Sequence, residues 1–192
     1  MTNTKTRTIA LCLMLGLVAG AAGQTQAATA KSALQNDLVG QIDYVQKEIV
    51  DLLDAMPQDK LNWRPAPGVR SVAEVYLHIA FGNYGIGKVA TGKTPPESAG
   101  FGGDPKKWDT QTTDKAAIKK ILLASFDWVK DAIKNVPDKD LDKKVSFYGH
   151  ELSTRAAMIV VLNHQHEHLG QSIAYARSNK VTPPWSKGDK PE

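Results

Sequence analysis

Apolar residues recur along the chain at the three- and four-residue spacing of helices that bury one face. The first such stripe is Leu34, Leu38, Ile42, Val45, Ile49, Leu52 and Met56. It predicts a helix over about Ser32–Met56, ended by Pro57. The segment LNWRPAPGVR follows as a proline-pinned loop, with Trp63 placed to plug an end of a bundle. A second helix starts at SVAEVYLHIA, where Ser71 and Glu74 have the spacing of a capping box. Val72, Val75, Ile79 and Ile86 form its buried side, and it frays near Gly92. A third helix, about Asp114–Asn135, carries Ile118, Ile121, Leu122, Ser125, Phe126, Val129 and Ile133. A fourth runs from a cap at Ser153 or Thr154 to about Ser178, stopped by SNKVTPP. The pattern predicts an all-α protein, a four-helix bundle with a long second connection. Strand content is expected to be negligible, beyond one short extended piece near Val145–Tyr148. No internal repeat stands out.

The long connection, residues 92–112, is rich in glycine and proline. Loops of this length are often functional. Two readings stand: a lid in which Phe101 and Trp108 close over an apolar ligand, or a solvated excursion at the far end of the bundle.

The first 30 residues break the helical pattern. Lys5 and Arg7 precede an apolar run from Ile9 to Ala22, and small residues follow, with cleavage sites ending at Ala27 and at Ala30. This is the order of a secretory signal peptide, and the run falls short of the ~20 residues of a membrane span. Taking the second site, residues 1–30 are a signal, 31–185 the bundle and 186–192 a disordered tail. The protein is then expected to be exported, periplasmic or extracellular, with no membrane attachment after cleavage.

Composition changes the picture in two places. Removing the leader takes away Lys5 and Arg7 and lowers the formal charge from +4 to +2. No basic stripe remains to argue for nucleic acid. The only cysteine, Cys12, leaves with the leader, so a mature domain has neither disulfides nor thiol ligands of its own. A small-molecule substrate is the expected partner, of unknown identity, and a homodimer is left open.

The chemistry concentrates in LNHQHEHLGQ, which holds three of the five histidines. At ~100° per residue, His168 lies about 40° from His164 on the helix, while His166 lies about 200° away. His164 and His168 therefore share the core-facing stripe with Ala157, Val160 and Val161, and His166 faces out. Two imidazoles on a buried stripe need partners, since an unmet polar group costs roughly 1–3 kcal/mol. A divalent ion bridging the i, i+4 pair is one answer; hydrogen bonds to carboxylates or water are the other. His78, at the edge of the second helix's stripe, makes a third inward histidine. Three is the count for a site with an open coordination position. Glu74, four residues before His78, is either an orienting carboxylate or simply the capping residue. Glu167, about −60° from His164 by the same rotation, is the candidate catalytic base. His150 belongs to the loop before the last helix and is expected to be solvated.

The motifs LNWRPAPGVRSVAEVYLHIA and LNHQHEHLGQSIAYAR, in this order, resemble the DinB-like superfamily of metal-binding four-helix bundles. The resemblance covers about Ser32–Pro184. It implies a divalent metal, with zinc, nickel and iron all suited to imidazole, held by His78, His164 and His168. Family members include transferases and isomerases that use mycothiol or bacillithiol, so the resemblance implies a thiol-type transferase, while an ion that activates bound water suits a metal-dependent hydrolase as well. The sequence departs from the family where Glu167 replaces a histidine and Leu169 an arginine, and export separates it from those cytoplasmic thiols. The alternative is a non-catalytic metal- or ligand-binding bundle, or a scaffold that has lost its function.

Overall fold

The computed structural model describes residues 33–186. The expected signal peptide and all but the first residue of the expected tail lie outside them. Four long helices form the frame: α1 (Ala33–Ala55), α2 (Val72–Thr91), α4 (Lys115–Lys134) and α5 (Thr154–Ser178). A short helix, α3 (Pro105–Asp109), lies in the long connection. Among the described residues, no helix is long and apolar enough to cross a membrane.

Each of α1 and α2 packs against both α4 and α5, so α1 and α2 occupy opposite corners of the bundle. The predicted stripes meet at the centre. Ile42, Val45, Ile49 and Leu52 of α1 are fully buried, with Ile118, Leu122, Phe126 and Val129 of α4 and Ala157 and Met158 of α5. The capping box at the start of α2 is formed as predicted, Ser71 accepting from the Glu74 amide and Glu74 from the Ser71 amide. Trp63 is half-buried and meets the ring of Tyr175 edge-on, with centroids 5.4 Å apart.

Two expectations are corrected here. The connection between α4 and α5 is a β-hairpin. β1 (Lys144–Phe147) pairs antiparallel with β2 (His150–Ser153) in the register Phe147↔His150. The two residues left between them, Tyr148 and Gly149, both have positive φ, 49° and 82°. That is the mirror-image turn whose twist suits a tight hairpin. His150, expected in a loop, is an exposed strand residue. The extended piece expected near Val145–Tyr148 corresponds to β1, whereas the four residues of β2 carry too weak a periodicity to mark a strand.

The second correction is an internal repeat. After α1 comes Met56-Pro57-Gln58-Asp59-Lys60-Leu61; after α4 comes Val136-Pro137-Asp138-Lys139-Asp140-Leu141. In both, proline opens a 3-10 turn that carries a leucine into the core. The Leu61 carbonyl then accepts the Ala73 amide, and the Leu141 carbonyl the Arg155 amide. Likewise Trp63 accepts from Val72 and Lys143 from Thr154. The chain is thus two helix–turn–helix halves, α1 with α2 and α4 with α5. The inserts between the paired helices differ: an irregular loop over 64–70 in the first half, the hairpin in the second.

The halves meet where α2 crosses α5. Gln165 donates to Asn83 Oδ1 at 2.8 Å, and Asn83 donates to Ser125 Oγ at 3.0 Å. All three side chains are fully buried. Asn83 and Gln165, 82 residues apart, occupy equivalent places in the two halves.

Candidate metal centre

Gly82 precedes Asn83, and its equivalent in the second half is His164. A Cβ on Gly82 would lie 2.1 Å from His164 Cε1. The missing side chain is therefore what lets the imidazole of α5 lie against the backbone of α2. One turn away in each direction, His78 of α2 and His168 of α5 complete the group. Ring centroids are 5.2 Å apart for His78 and His164, 4.8 Å for His78 and His168, and 4.5 Å for His164 and His168. Each ring offers a nitrogen, and the three nitrogens lie within 4.8 Å of one another. His166 is exposed on the outer face.

Two of the rings have partners behind them. Gln171 Oε1 lies 2.8 Å from His168 Nδ1. Asp109 Oδ2 lies 3.4 Å from His78 Nδ1, an ion-pair distance rather than a hydrogen bond. Arg70 Nε donates to the same oxygen at 2.8 Å. Contacts of this kind fix the ring and tautomer of a metal-binding histidine and leave its Nε2 free. Glu74 does not serve here: its carboxylate accepts from Arg64 at 2.6 Å and from the Ser71 amide. The orienting carboxylate comes instead from α3, a residue the helical pattern of α2 could not reveal.

The electrostatics keep His164 and His168 neutral. Burial, then His168, His78 and Arg70, push His164 down to about 3. Burial also lowers His168, against the opposing bond from Gln171. Burial alone would raise the Asp109 carboxyl, but His78 and Arg70 hold it below the usual range. Neutral imidazole is the form that donates a lone pair to a cation. Among the described residues, His164 Nδ1 has no hydrogen-bond partner although it is buried. His78 Nδ1 is likewise buried without a hydrogen bond, and three converging rings, two with an unmet buried nitrogen, set over a glycine cradle fit a divalent cation.

A cavity opens on either side of the cluster. The first, about 550 Å³, runs between α2 and α5 beneath the hairpin. Its walls are His78, Phe81, Gly82, Gly85, Ile86 and Val89 of α2 and Val160, Asn163, His164 and Glu167 of α5; Ser146, Phe147 and Tyr148 roof it. The second, about 600 Å³, lies beneath the 64–70 loop and is polar, with Arg64, Arg70, Glu74, Lys106, Asp109 and Gln171 in its walls. None of residues 92–112 lines the first cavity. Phe101 packs on Phe81, centroids 5.0 Å apart, and Trp108 is buried with its indole N–H donated to the Leu77 carbonyl at 3.0 Å. The long connection is thus neither a lid on the apolar cleft nor a solvated excursion. It is a wall that braces α2 and delivers Asp109.

The fold and cluster together define a helical bundle with a three-histidine pocket at the crossing of two equivalent helices. The family model described as the DinB superfamily matches residues 41–172, and the chain belongs to that superfamily. Its structure is similar to that of a DinB-like protein of Bacillus cereus, at 23% identity and a TM-score of 0.63, covering 77% of this chain and 93% of that one. It is similar also to a DinB-like protein, YjoA, of Bacillus subtilis, at 16% identity and a TM-score of 0.58, covering 76% and 93%. At these identities the likeness shows the fold. No match was found among curated proteins.

Proposed function

We propose that the protein is an exported metal-dependent enzyme acting on a small molecule in the 550 Å³ cleft, with His78, His164 and His168 as the ligands of one divalent ion. The observation that carries the reading is the convergence of three inward rings at one end of a cavity. A divalent ion with an open position would supply Lewis acidity toward a water, a thiol or a substrate oxygen. Imidazole donors suit zinc, nickel and iron.

The chain's own residues divide the remaining work. His78 and His164 stand in the cleft wall, where a substrate's polar end would meet them. Asp109 and Gln171 hold His78 and His168 from behind. Glu167, on the α5 wall and open to solvent, is placed to take a proton from an attacking water or thiol or return one to a leaving group. Hydrolysis and thiol transfer both fit this arrangement. A non-catalytic binding role draws support from the exposure of Glu167, because no buried proton carrier other than histidine lines the cleft. Export is supported by the order of charge, apolar run and small residues in the first 30 positions.

The test is metal content by elemental analysis of untagged protein taken from its native compartment. About one ion per chain is expected, lost in His168→Ala and kept in His166→Ala. A full complement of metal in His168→Ala would overturn the ligand assignment. N-terminal sequencing of the same material reads the cleavage site; an intact Met1 would overturn export by this leader.

A further inference from the structure

The two walls of the apolar cleft are graded along their length. Positions 78, 82, 85 and 89 of α2 lie on one helical face, and eleven residues at the helical rise span about 16 Å. Gly82 faces His164 and His78 faces His168, so α5 runs antiparallel along the same line. At one end stand His78, His164 and Glu167. At the other stand Ile86, Val89 and Val160, with no charged group among the residues lining that end. The roof is hydrophobic as well. Phe147 and Tyr148 meet edge to face, 4.6 Å between centroids, and Tyr148 is 87% exposed at the tip of the hairpin. The turn holds that residue at φ 49°, a left-handed conformation unusual for a tyrosine, which fixes the direction in which its ring leaves the backbone.

We infer that the occupant is an elongated small molecule with an alkyl or aryl body, lying along α2 from His78 toward Val89 with its polar, reacting end at the histidines and its body under Phe147 and Tyr148. The volume lies within the range of ordinary small-molecule sites, roughly 300–1,000 Å³. Polar groups at one end set the molecule's direction, and apolar walls at the other give affinity in proportion to the area covered. The cavity behind the cluster, walled by Arg64, Arg70, Lys106 and Asp109, is charged and offers much less apolar surface, which favours the orientation with the body along α2. The inference rests on the proposed metal reading for its head group alone; the placement of the body does not depend on it.

The experiment is calorimetric titration of the metal-loaded protein with straight-chain n-alkyl hydroxamates, from two carbons to eight, beside the matching amides. In the native protein affinity should rise about three- to fourfold per added methylene in both series. Val89→Glu, which puts a carboxylate at the apolar end, should flatten the dependence. Tyr148→Gly should weaken the longest members at least threefold and leave the two-carbon member unchanged. Because Tyr148 is exposed and its backbone suits glycine, this second variant decides the matter if Val89→Glu fails to fold. No dependence on chain length, no binding of any member, or an undiminished dependence in Tyr148→Gly would overturn the inference. A normal chain-length dependence with hydroxamates and amides binding equally would instead overturn the metal reading and leave this one standing.

Discussion

The two halves of the molecule share a turn, a pair of helix-starting hydrogen bonds and a crossing point, yet they roof opposite kinds of cavity. The 64–70 loop of the first half brings Arg64 and Arg70 over the outer side of the histidines. The hairpin of the second half brings Phe147 and Tyr148 over the inner side. Even equivalent wall positions diverge: Val89 lines the apolar cavity where Gln171, 82 residues on, lines the polar one. A near-symmetric frame has become a site with a back and a front. The back holds rings in place with charge and hydrogen bonds; the front leaves apolar surface for a ligand. The asymmetry lies in the inserts and in a few wall positions of α2 and α5.

The comparison is broken most severely by removing the brace on the polar side. Trp108→Ala leaves a buried cavity against α2 and should cost about 3–5 kcal/mol in urea denaturation, the range for large aromatic truncations. A loss under 1 kcal/mol would mean that the 92–112 segment does not brace α2. The crossing point comes next. Gly82→Ala should cost about 1–3 kcal/mol by overpacking and should abolish metal retention, because His164 must move away. Gly170→Ala, where a Cβ meets nothing within 4 Å, is the control and should gain up to about 1 kcal/mol from helix propensity. Equal metal content in the two variants would sink the cradle.

The division between back and front is sharpened by a pair of carboxylates. Asp109→Ala should weaken metal binding about 10- to 100-fold, as loss of an orienting partner does. Glu167→Gln, on the front, should change it less than about threefold on the same reasoning. Competition with a chromophoric chelator reads both, and matching effects would remove the distinction. The pH dependence of stability probes the same cluster without substitution. In metal-free protein, His164 and His168 bind protons less readily when folded than unfolded. The unfolded chain therefore gains protons first as pH falls below ~6.5. Stability is complete above that value and should fall by about 1.4 kcal/mol per pH unit for each such histidine until the folded rings titrate, near about 3 for His164. The lowered Asp109 carboxyl adds loss in the same direction below the usual carboxylate range. Denaturation curves at pH 7, 6 and 5 with chelator present would show it, and identical midpoints would refute it.

Helical stripes are legible in sequence because 3.6-residue periodicity survives whatever the loops do. The four long helices, the capping box at Ser71 and the inward sense of His164 and His168 all follow from it. His78 was legible only beside them, since one histidine on an apolar face specifies nothing. Asp109 was not legible. It reaches His78 from a five-residue helix held by Trp108, a contact across 31 residues that no local pattern encodes. Glu74 had the right spacing and the wrong partner, because Arg64 from the preceding loop lies closer. The hairpin offered one faint mark, Tyr148-Gly149 between short apolar alternations. The repeat was written plainly in PQDKL and PDKDL, but five residues of similarity mean little until the hydrogen bonds on each leucine carbonyl are seen to match.

The buried chain from Gln165 through Asn83 to Ser125 acts on the ligand helix as a phase lock. Sliding α5 by one residue would rotate it about 100°. His164 would then turn out of its cradle. The same slip would part the amide pair and leave its polar atoms buried and unmet, at roughly 1–3 kcal/mol each. Leucine and methionine cores tolerate such rotations far more readily, because dispersion contacts carry no direction. A version of this protein with the three polar residues replaced by apolar ones of similar volume would therefore trade a single angular setting for several. Its helices would remain packed while its imidazoles no longer agreed on a common point.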